Sequence, residues 1–132
     1  MKSYHLTFLF LLVCCTTQIE KNDIKHLHGY WMIDHVIAPN NEKRAYIGAD
    51  EVDFFEVDKL KGFRKKVKPQ NDIFFSNSDH VDFSIAFGEK NPLIVYEKNQ
   101  TKWQEEVVAL NTSVLELKDE RGVIFVYKRY RP

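Results

Sequence analysis

From residue 26 onward, short runs of apolar residues alternate with polar positions and are separated by clusters of turn-forming residues. The clearest run is 81–87, in which Val81, Phe83, Ile85 and Phe87 share one face of an extended chain while the residues between them are polar or small. Turn-type clusters occur at 39–41, 69–72, 88–92 and 119–122. The pattern therefore predicts a series of strands that each bury one face.

These runs define the expected fold class. Strands are predicted near 29–37, 45–49, 51–57, 62–68, 72–76, 80–87, 92–97, 103–110, 113–118 and 122–130. Some of them are expected to merge, leaving roughly eight strands. Connections are short throughout, which favours an antiparallel meander, and closing the meander into a barrel removes its exposed edges. The prediction is an all-β protein built as a small antiparallel up-and-down β-barrel.

The N-terminal segment departs from this pattern. Lys2 is followed by an apolar run over 6–13 that is too short to span a bilayer and has the size of a signal-peptide core. Both cysteines of the chain follow it, and the region resembles a bacterial lipoprotein signal, which implies lipidation of Cys15. Cys14 is a second candidate, since that signal usually has a small residue at its position. An ordinary secretory cleavage one or two residues later is the alternative.

The domain organisation follows from these segments. Residues 1–14 are predicted to be a lipoprotein signal peptide, 15–25 a polar tether and 26–132 the barrel domain. No cysteine follows Cys15, so the barrel is expected to have neither a disulfide nor thiol chemistry. The expected location is the cell envelope, in the outer membrane of a Gram-negative bacterium, with the lipid anchor as the contact to the membrane.

The charge balance excludes one class of partner. Lys plus Arg and Asp plus Glu are 19 each, so the chain is not expected to bind nucleic acid through a global positive charge. A basic run over 59–68 could bind phosphate, lipid head groups or nucleic acid. If 51–57 pairs with 62–68 around a loop at 58–61, however, Asp53 faces Lys66 and the charges form a ladder on the outer surface. This ladder is the preferred interpretation.

Lys65 is the exception within that basic run. Alternation places it on the face of Phe63 and Val67, where a charge is unusual in a filled core. It is therefore expected at the barrel rim or beside an acidic residue such as Glu56.

Candidate catalytic and metal-binding groups are sparse. His26 and His28 are spaced to share a metal on a strand, but no third ligand has a defined spacing, so no metal site is predicted. The sequence contains no motif of a serine hydrolase, zinc protease, phosphate loop or dinucleotide site. The protein is therefore expected to need no cofactor and not to be an enzyme. Acidic residues over 50–56 leave a hydrolase or isomerase at the barrel mouth as a remote alternative.

Two ends of the chain carry a family resemblance. Gly29-Tyr-Trp31 resembles the Gly-x-Trp opening of lipocalins and of small lipocalin-like domains in bacterial lipoproteins, and 114–130 resembles their final hairpin with its Tyr-Lys-Arg ending. The sequence lacks the Thr-Asp-Tyr type motif and the helix after the barrel, so the shorter bacterial group is the better comparison. The resemblance implies that Arg129 of the closing strand covers Trp31, that Gly29 permits a tight entry into the barrel, and that a small apolar molecule is bound.

The interior side chains decide between two functions. The predicted inward set is Trp31, Ile33, Ile37, Phe54, Phe63, Phe83, Ile85, Phe87 and Phe125, which is bulky and contains no glycine. Candidate ligand-lining residues are His35, Phe54, Lys65, Phe83, Phe87 and Phe125. The first hypothesis is a lipid-anchored envelope protein that binds a small apolar ligand. The alternative is a structural or protein-interaction module whose barrel is filled.

Overall fold

Antiparallel strands make up most of the domain. The computed structural model describes residues 2–4, 18–46, 50–70, 73–76 and 79–131, with the side chains of 70 and 73–76 excepted. A 3₁₀ helix at Lys21–Leu27 is followed by β1 Gly29–Ile37, β2 Lys43–Ala45, β3 Val52–Asp58, β4 Lys61–Gln70, β5 Ile73–Ser76, β6 Val81–Ala86, β7 Leu93–Lys98, β8 Thr101–Leu110, β9 Val114–Lys118 and β10 Ile124–Tyr130. The expected lipidation residues Cys14 and Cys15 lie outside the described residues.

Eight of the strands form a closed, all-antiparallel barrel. The strands follow the order β1-β3-β4-β6-β7-β8-β9-β10, and β10 pairs with β1 to complete the circle. This confirms the predicted fold class. The expected merging of strands does not occur, however, because β1 and β4 are long enough to pair with three strands each. The second half of β1 pairs with β2 and that of β4 with β5, so these two short strands extend hairpins beyond the barrel wall.

The two ends of the barrel differ, and we call them lower and upper. The lower end contains the 3₁₀ helix and the turns at 59–60, 87–92 and 111–113. The upper end contains the turns at 99–100 and 119–123. Among the described helices, none is long and apolar enough to cross a membrane.

Large apolar side chains fill the lower and middle interior. The buried cluster contributed by the strands is Trp31, Phe55, Phe83, Ile85, Ile94, Tyr96, Val107, Leu115, Leu117 and Tyr127. Trp31 and Phe55 are fully buried. Each such side chain contributes roughly 2 to 3 kcal/mol through burial, so this cluster is the main source of the barrel's stability.

The N-terminal 3₁₀ helix corrects the predicted tether over 15–25. Ile24 and Leu27 of this helix and Ile19 before it are buried in the same core. The helix starts with a capping box in which the Asp23 carboxylate accepts a hydrogen bond from the Glu20 amide at 2.8 Å. The segment is polar in composition, yet its few apolar residues cover the lower end of the barrel. The folded domain therefore includes Ile19 and the 3₁₀ helix and does not start at residue 26.

The β3–β4 hairpin has the predicted register but the opposite orientation. Val52 pairs with Val67 and Asp53 with Lys66, as expected, around a turn of two residues instead of four. The inward side chains are those of Asp53, Phe55 and Arg64, so the predicted inward positions of Phe54 and Phe63 are wrong. The reason is that Arg64 finds acidic and phenolic partners inside the barrel, as described below.

A β-bulge in β1 corrects the predicted positions of His35 and Ile37. The pairing of β1 with β10 shifts by one residue between Ile33 and His35, which breaks the alternation of faces. His35 pairs with Val126, whose neighbours Phe125 and Tyr127 face the core, so Val126 and His35 point outward. Ile37 lies opposite Ile124 and is turned outward for the same reason.

Candidate functional site

A charged network spans the upper half of the barrel interior and is centred on Arg64 of β4. One terminal nitrogen of Arg64 donates hydrogen bonds to the Tyr96 hydroxyl at 2.8 Å and to Glu105 Oε1 at 2.9 Å. The other donates to Tyr127 at 2.9 Å and to Asp53 Oδ2 at 3.3 Å. These four partners come from β3, β7, β8 and β10, so a single guanidinium connects five of the eight barrel strands.

The network is close to electrically balanced. The side chain of Asp53 is 7% exposed, and it accepts a second bond from Lys66 Nζ at 3.2 Å. Two carboxylates, Asp53 and Glu105, thus face two cations, Arg64 and Lys66. This pairing is needed because an unpaired charge in so buried a position costs several kcal/mol.

Burial and pairing shift the ionisation of the groups in this network. Burial by itself would lower the pKa of Arg64, but the surrounding phenols and carboxylates hold that pKa well above its ordinary value. Burial raises the pKa of Tyr127 to about 12 although Arg64 opposes the shift, and burial likewise raises the pKa of Tyr96 well above its ordinary value. Arg64 is therefore charged and both phenols are neutral at every physiological pH.

Above this network the barrel opens into a concave surface that we call the upper cup. Clefts of about 320, 470 and 350 Å³ adjoin one another there, since they share residues at their borders. Volumes of this size are typical of small-molecule sites. The cup is lined by Ile33, Asp53, Arg64, Lys66, Trp103, Glu105 and Phe125.

The walls of the upper cup are aromatic, while its floor is polar. Trp103 stacks on Tyr96 with 5.4 Å between ring centroids and an interplanar angle of 19°, yet 37% of Trp103 remains exposed. Phe125 borders two of the clefts. Lys66 has half of its side chain in solvent and is the most accessible of the network's charges. Such a surface suits a ligand with a flat ring and a polar group.

The lower end is closed by the three residues that the family resemblance singled out. The guanidinium of Arg129 lies 3.8 Å from the Trp31 ring centroid, and the two residues are paired across β1 and β10. Gly29 has a φ of 125°, and a Cβ at this position would lie 2.6 Å from an Arg129 terminal nitrogen. The structure thus places Gly29, Trp31 and Arg129 in one contact that only glycine permits.

Hydrogen bonds extend this contact to the N-terminal helix. Arg129 donates to the carbonyl oxygens of His26, of His28 at 2.7 Å and of Thr112 at 3.0 Å. Trp31 Nε1 donates to the Leu27 carbonyl at 2.9 Å. The carbonyl groups at the end of the 3₁₀ helix are satisfied in this way, so the contact fixes the helix beneath the barrel.

Most of the candidate ligand-lining residues lie away from the upper cup. Phe83 is part of the buried core, and Phe87 packs against the core at the lower end. The side chain of His35 is turned outward and contacts Asp34, with 2.6 Å between Nδ1 and the carboxylate. Phe125 alone of the predicted aromatic residues borders the cup.

Phe54 and Lys65 lie on the outer surface of the barrel. The ammonium of Lys65 is 5.8 Å from the Phe54 ring centroid and 5.9 Å from that of Phe63, and the Tyr30 ring is 4.7 Å from Phe54. Lys65 also borders the cleft beside β6, but it lies on the outer surface of the barrel and not on the inward face predicted for it. Phe54 was predicted to line the ligand site. It belongs instead to an aromatic cluster on the outer surface.

The residues that form the network and the wall of the cup are not predicted from the sequence. Arg64 lies within the basic run, and charge pairing with Lys66 predicts an outward position for Asp53. A signal was present in β8, where Glu105 alternates with the core residue Val107, because an acidic residue on an apolar face requires an inward cation. Among the described residues, no group of three or more His, Cys, Asp or Glu is placed to hold a metal.

Comparison with known proteins supports the fold. No family model matches the chain, and no curated protein matches it. A solved lipocalin-like protein from Bacteroides uniformis is 14% identical with a TM-score of 0.48, covering 80% of this chain and 99% of its own. A solved uncharacterized protein from Bacteroides eggerthii is 9% identical with a TM-score of 0.50, covering 79% and 99%. The strand order and the closure of β10 onto β1 make the domain a small closed antiparallel β-barrel, and the second of these structures is similar to it in fold alone.

Proposed function

We propose that the protein is a lipid-anchored protein of the cell envelope whose barrel binds one small ligand in the upper cup. The observation that carries this proposal is the difference between the two ends of the barrel. The lower end is covered by the 3₁₀ helix and by the Trp31–Arg129 contact, whereas the upper end is concave and lined by aromatic walls above a polar floor.

The filled interior supports a small ligand instead of a long acyl chain. Core side chains occupy the lower half, and the Arg64 network spans the upper half, so the part of the interior that the structure describes leaves no channel for an extended hydrocarbon. The exposed face of Trp103 provides a surface for a flat apolar group, and Lys66 provides a polar contact. The proposed ligand is therefore a compact apolar ring compound with a polar substituent.

Binding without catalysis is part of the proposal. The two carboxylates of the network, Asp53 and Glu105, both accept hydrogen bonds from cations within the network. A site built in this way holds a ligand through contacts that are already in place.

Phe125 and Phe54 provide a matched test of the cup. Both are half-buried phenylalanines on strands, but only Phe125 borders the cup. The unlipidated protein would be purified from its native host as wild type, Phe125→Ala and Phe54→Ala, and organic extracts would be compared by mass spectrometry. We expect a compound at about one per chain in the wild type and in Phe54→Ala, and at least about fivefold less in Phe125→Ala, because lost apolar contact weakens binding. Equal recovery from all three proteins, or none from any, would contradict ligand binding in the cup.

A structural or protein-interaction module is the second candidate function. It is favoured by the interior itself, in which every buried side-chain nitrogen and oxygen of the described residues has a hydrogen-bond partner without any ligand. If no compound is extracted from any of the three proteins, this second function would be favoured, and the outer surface of the barrel would carry it.

Lipid anchoring has a separate test in the two cysteines. In cells that process lipoproteins, Cys15→Ser is expected to move the protein from the membrane fraction to the soluble fraction, because a diacyl anchor supplies the two chains that stable attachment requires. Cys14→Ser is the matched control and should stay with the membrane. Release by Cys14→Ser alone would assign the lipid to Cys14, and retention of both single variants would overturn the anchor at either residue.

A further inference from the structure

The distance between the proposed anchor and the folded barrel is short. Ile19 is buried among the core residues at the lower end, and it follows Cys15 by four positions in the sequence. Four residues span at most about 14 Å even when fully extended. A lipid on Cys15 would therefore hold the lower end within about 14 Å of the membrane surface, which is less than the length of one barrel strand.

The surface at this end carries an excess of positive charge. We call it the lower face and define it by its exposed charged residues, which are Lys21, Lys25, Lys59, Lys61, Lys90 and Arg131 against Glu20, Asp58 and Glu89. Six cations and three anions leave three positive charges in a protein whose formal net charge is zero. Anionic phospholipids have the complementary charge.

From the short connection and the charge, we infer that the lower face docks on the anionic head groups of the membrane, with the upper cup directed away from the bilayer. The inference rests on the proposed lipid anchor. Each basic residue near an anionic surface strengthens the attraction about fivefold, and the effect decays within a Debye length of roughly 10 Å. The short connection keeps the lower face within about 14 Å of the membrane surface, a distance comparable with this decay length, so anchor and charge act together to favour one orientation.

Two threonines at opposite ends of β8 allow a direct measurement. Thr101 is exposed at the upper end and Thr112 is exposed just past the lower end of the strand. At a strand tilt of about 40° these positions differ in height by roughly 20 Å. The Cys14→Ser chain from residue 15 would be coupled through Cys15 to a maleimide phospholipid in vesicles of phosphatidylcholine with phosphatidylglycerol. A dye would be attached through p-azidophenylalanine at either threonine.

Energy transfer to an acceptor lipid is the readout. We expect transfer from position 112 to be at least about twofold more efficient than from position 101, given the difference in height. Equal or reversed efficiencies would overturn the proposed orientation. Chemical coupling makes the result independent of whether cells lipidate Cys15, so failure here and failure of the fractionation experiment are distinguishable.

Charge reversal separates head-group contact from the effect of the short connection. On these vesicles, Lys59→Glu/Lys61→Glu is expected to reduce the ratio between the two dye positions toward one, whereas the exposed upper-end pair Lys43→Glu/Arg44→Glu should leave it unchanged. In vesicles of pure phosphatidylcholine, the ratio of the two transfer efficiencies for the wild type should resemble that of Lys59→Glu/Lys61→Glu. A ratio that responds neither to the lipid nor to Lys59→Glu/Lys61→Glu would overturn docking on anionic head groups.

Discussion

Arg64 shows how one residue makes a polar interior stable. Its two terminal nitrogens donate four hydrogen bonds, and its guanidinium also lies 4.8 Å from the Phe55 ring centroid. An arginine fits here better than a lysine, because its planar fork reaches several acceptors at fixed angles. Without this side chain, the Asp53 carboxylate would keep only Lys66 as a cationic partner, and Glu105 would lose its bond at 2.9 Å.

Replacement of Arg64 is therefore expected to be costly. Arg64→Met should lower the free energy of unfolding by about 3 to 5 kcal/mol, since it leaves buried carboxylates without their cation. Lys65→Met on the outer face is the control and should change stability by less than about 1 kcal/mol. Urea denaturation of both variants checks this, and similar losses for the two would show that the network does not stabilise the fold.

Tyr127 predicts how stability responds to alkaline pH. The phenol of an unfolded chain has a pKa of about 10, whereas burial raises the pKa of Tyr127 to about 12 in the fold. The unfolded state thus releases its proton first, so the stabilisation is complete below about pH 10 and is lost as pH rises toward 12, by about 2 to 3 kcal/mol.

The variant Tyr127→Phe isolates this contribution. Urea midpoints measured between pH 9 and about 11 should fall less steeply for Tyr127→Phe than for the wild type, because the ionising group is absent. The exposed Tyr46 provides the control, and Tyr46→Phe should retain the wild-type slope. An unchanged slope in Tyr127→Phe would contradict the buried, neutral state of this phenol.

The Trp31–Arg129 contact should show thermodynamic coupling. Arg129→Ala is expected to cost about 2 to 4 kcal/mol, because it removes a cation–π contact and leaves carbonyl groups at the helix end without a donor. In a double-mutant cycle with Trp31→Phe, the two losses should fail to add by about 1 kcal/mol. Lys128→Ala, at an exposed neighbouring position, should cost less than about 0.5 kcal/mol. Additive losses, or equal melts for Arg129→Ala and Lys128→Ala, would argue against a packed contact.

At the scale of elements, the N-terminal 3₁₀ helix behaves as part of the barrel. Ile24→Ala should lower the free energy of unfolding by about 2 to 4 kcal/mol, because Ile24 is 1% exposed and its truncation leaves a cavity. The adjacent exposed residue gives the control, and Lys25→Ala should have little effect. Thermal melts compare the two, and a small loss for Ile24→Ala would instead support a flexible tether.

The same elements show what the sequence can predict. The strand positions and the register of β3 with β4 followed from alternation and charge pairing, because both are local signals. The inward face of that hairpin did not, since Phe54 and Phe55 are adjacent and either can be chosen as the core residue. The choice depends on Glu105 and Tyr127, which lie 41 and 63 residues beyond Arg64.

Two further differences also have identifiable causes. The bulge between Ile33 and His35 inserts one residue into β1, and the single Asp34 at that point does not distinguish a bulge from an ordinary strand position. The 3₁₀ helix is too short and too polar for a hydrophobic period to reveal it, and only three apolar residues, Ile19, Ile24 and Leu27, connect it to the core. The upper cup was not predicted because its floor consists of inward side chains of the β3–β4 hairpin, and the sequence pattern places these side chains on the outer face.

For the whole molecule, the filled interior limits the ligands that the barrel accepts. Palmitate and retinol should show no saturable one-to-one binding at micromolar concentration, because core side chains occupy the space that a long apolar molecule would need. Titration followed by the fluorescence of Trp103, with Trp103→Phe as the control, checks this. Tight binding of either probe at one site per chain would show that the interior opens.

The pairing of β1 with β10 also governs the order in which the chain can fold during synthesis. Arg129 is synthesised 101 residues after His28, whose carbonyl accepts its hydrogen bond. Pairing of the first strand with the last is therefore possible only when the chain is almost complete. Until β10 is made, the edges of β1 and β9 that pair with it have no partner strand. A polypeptide of this kind can complete its tertiary structure only after its closing strand has been made, so the nascent chain reaches its final fold at the end of synthesis.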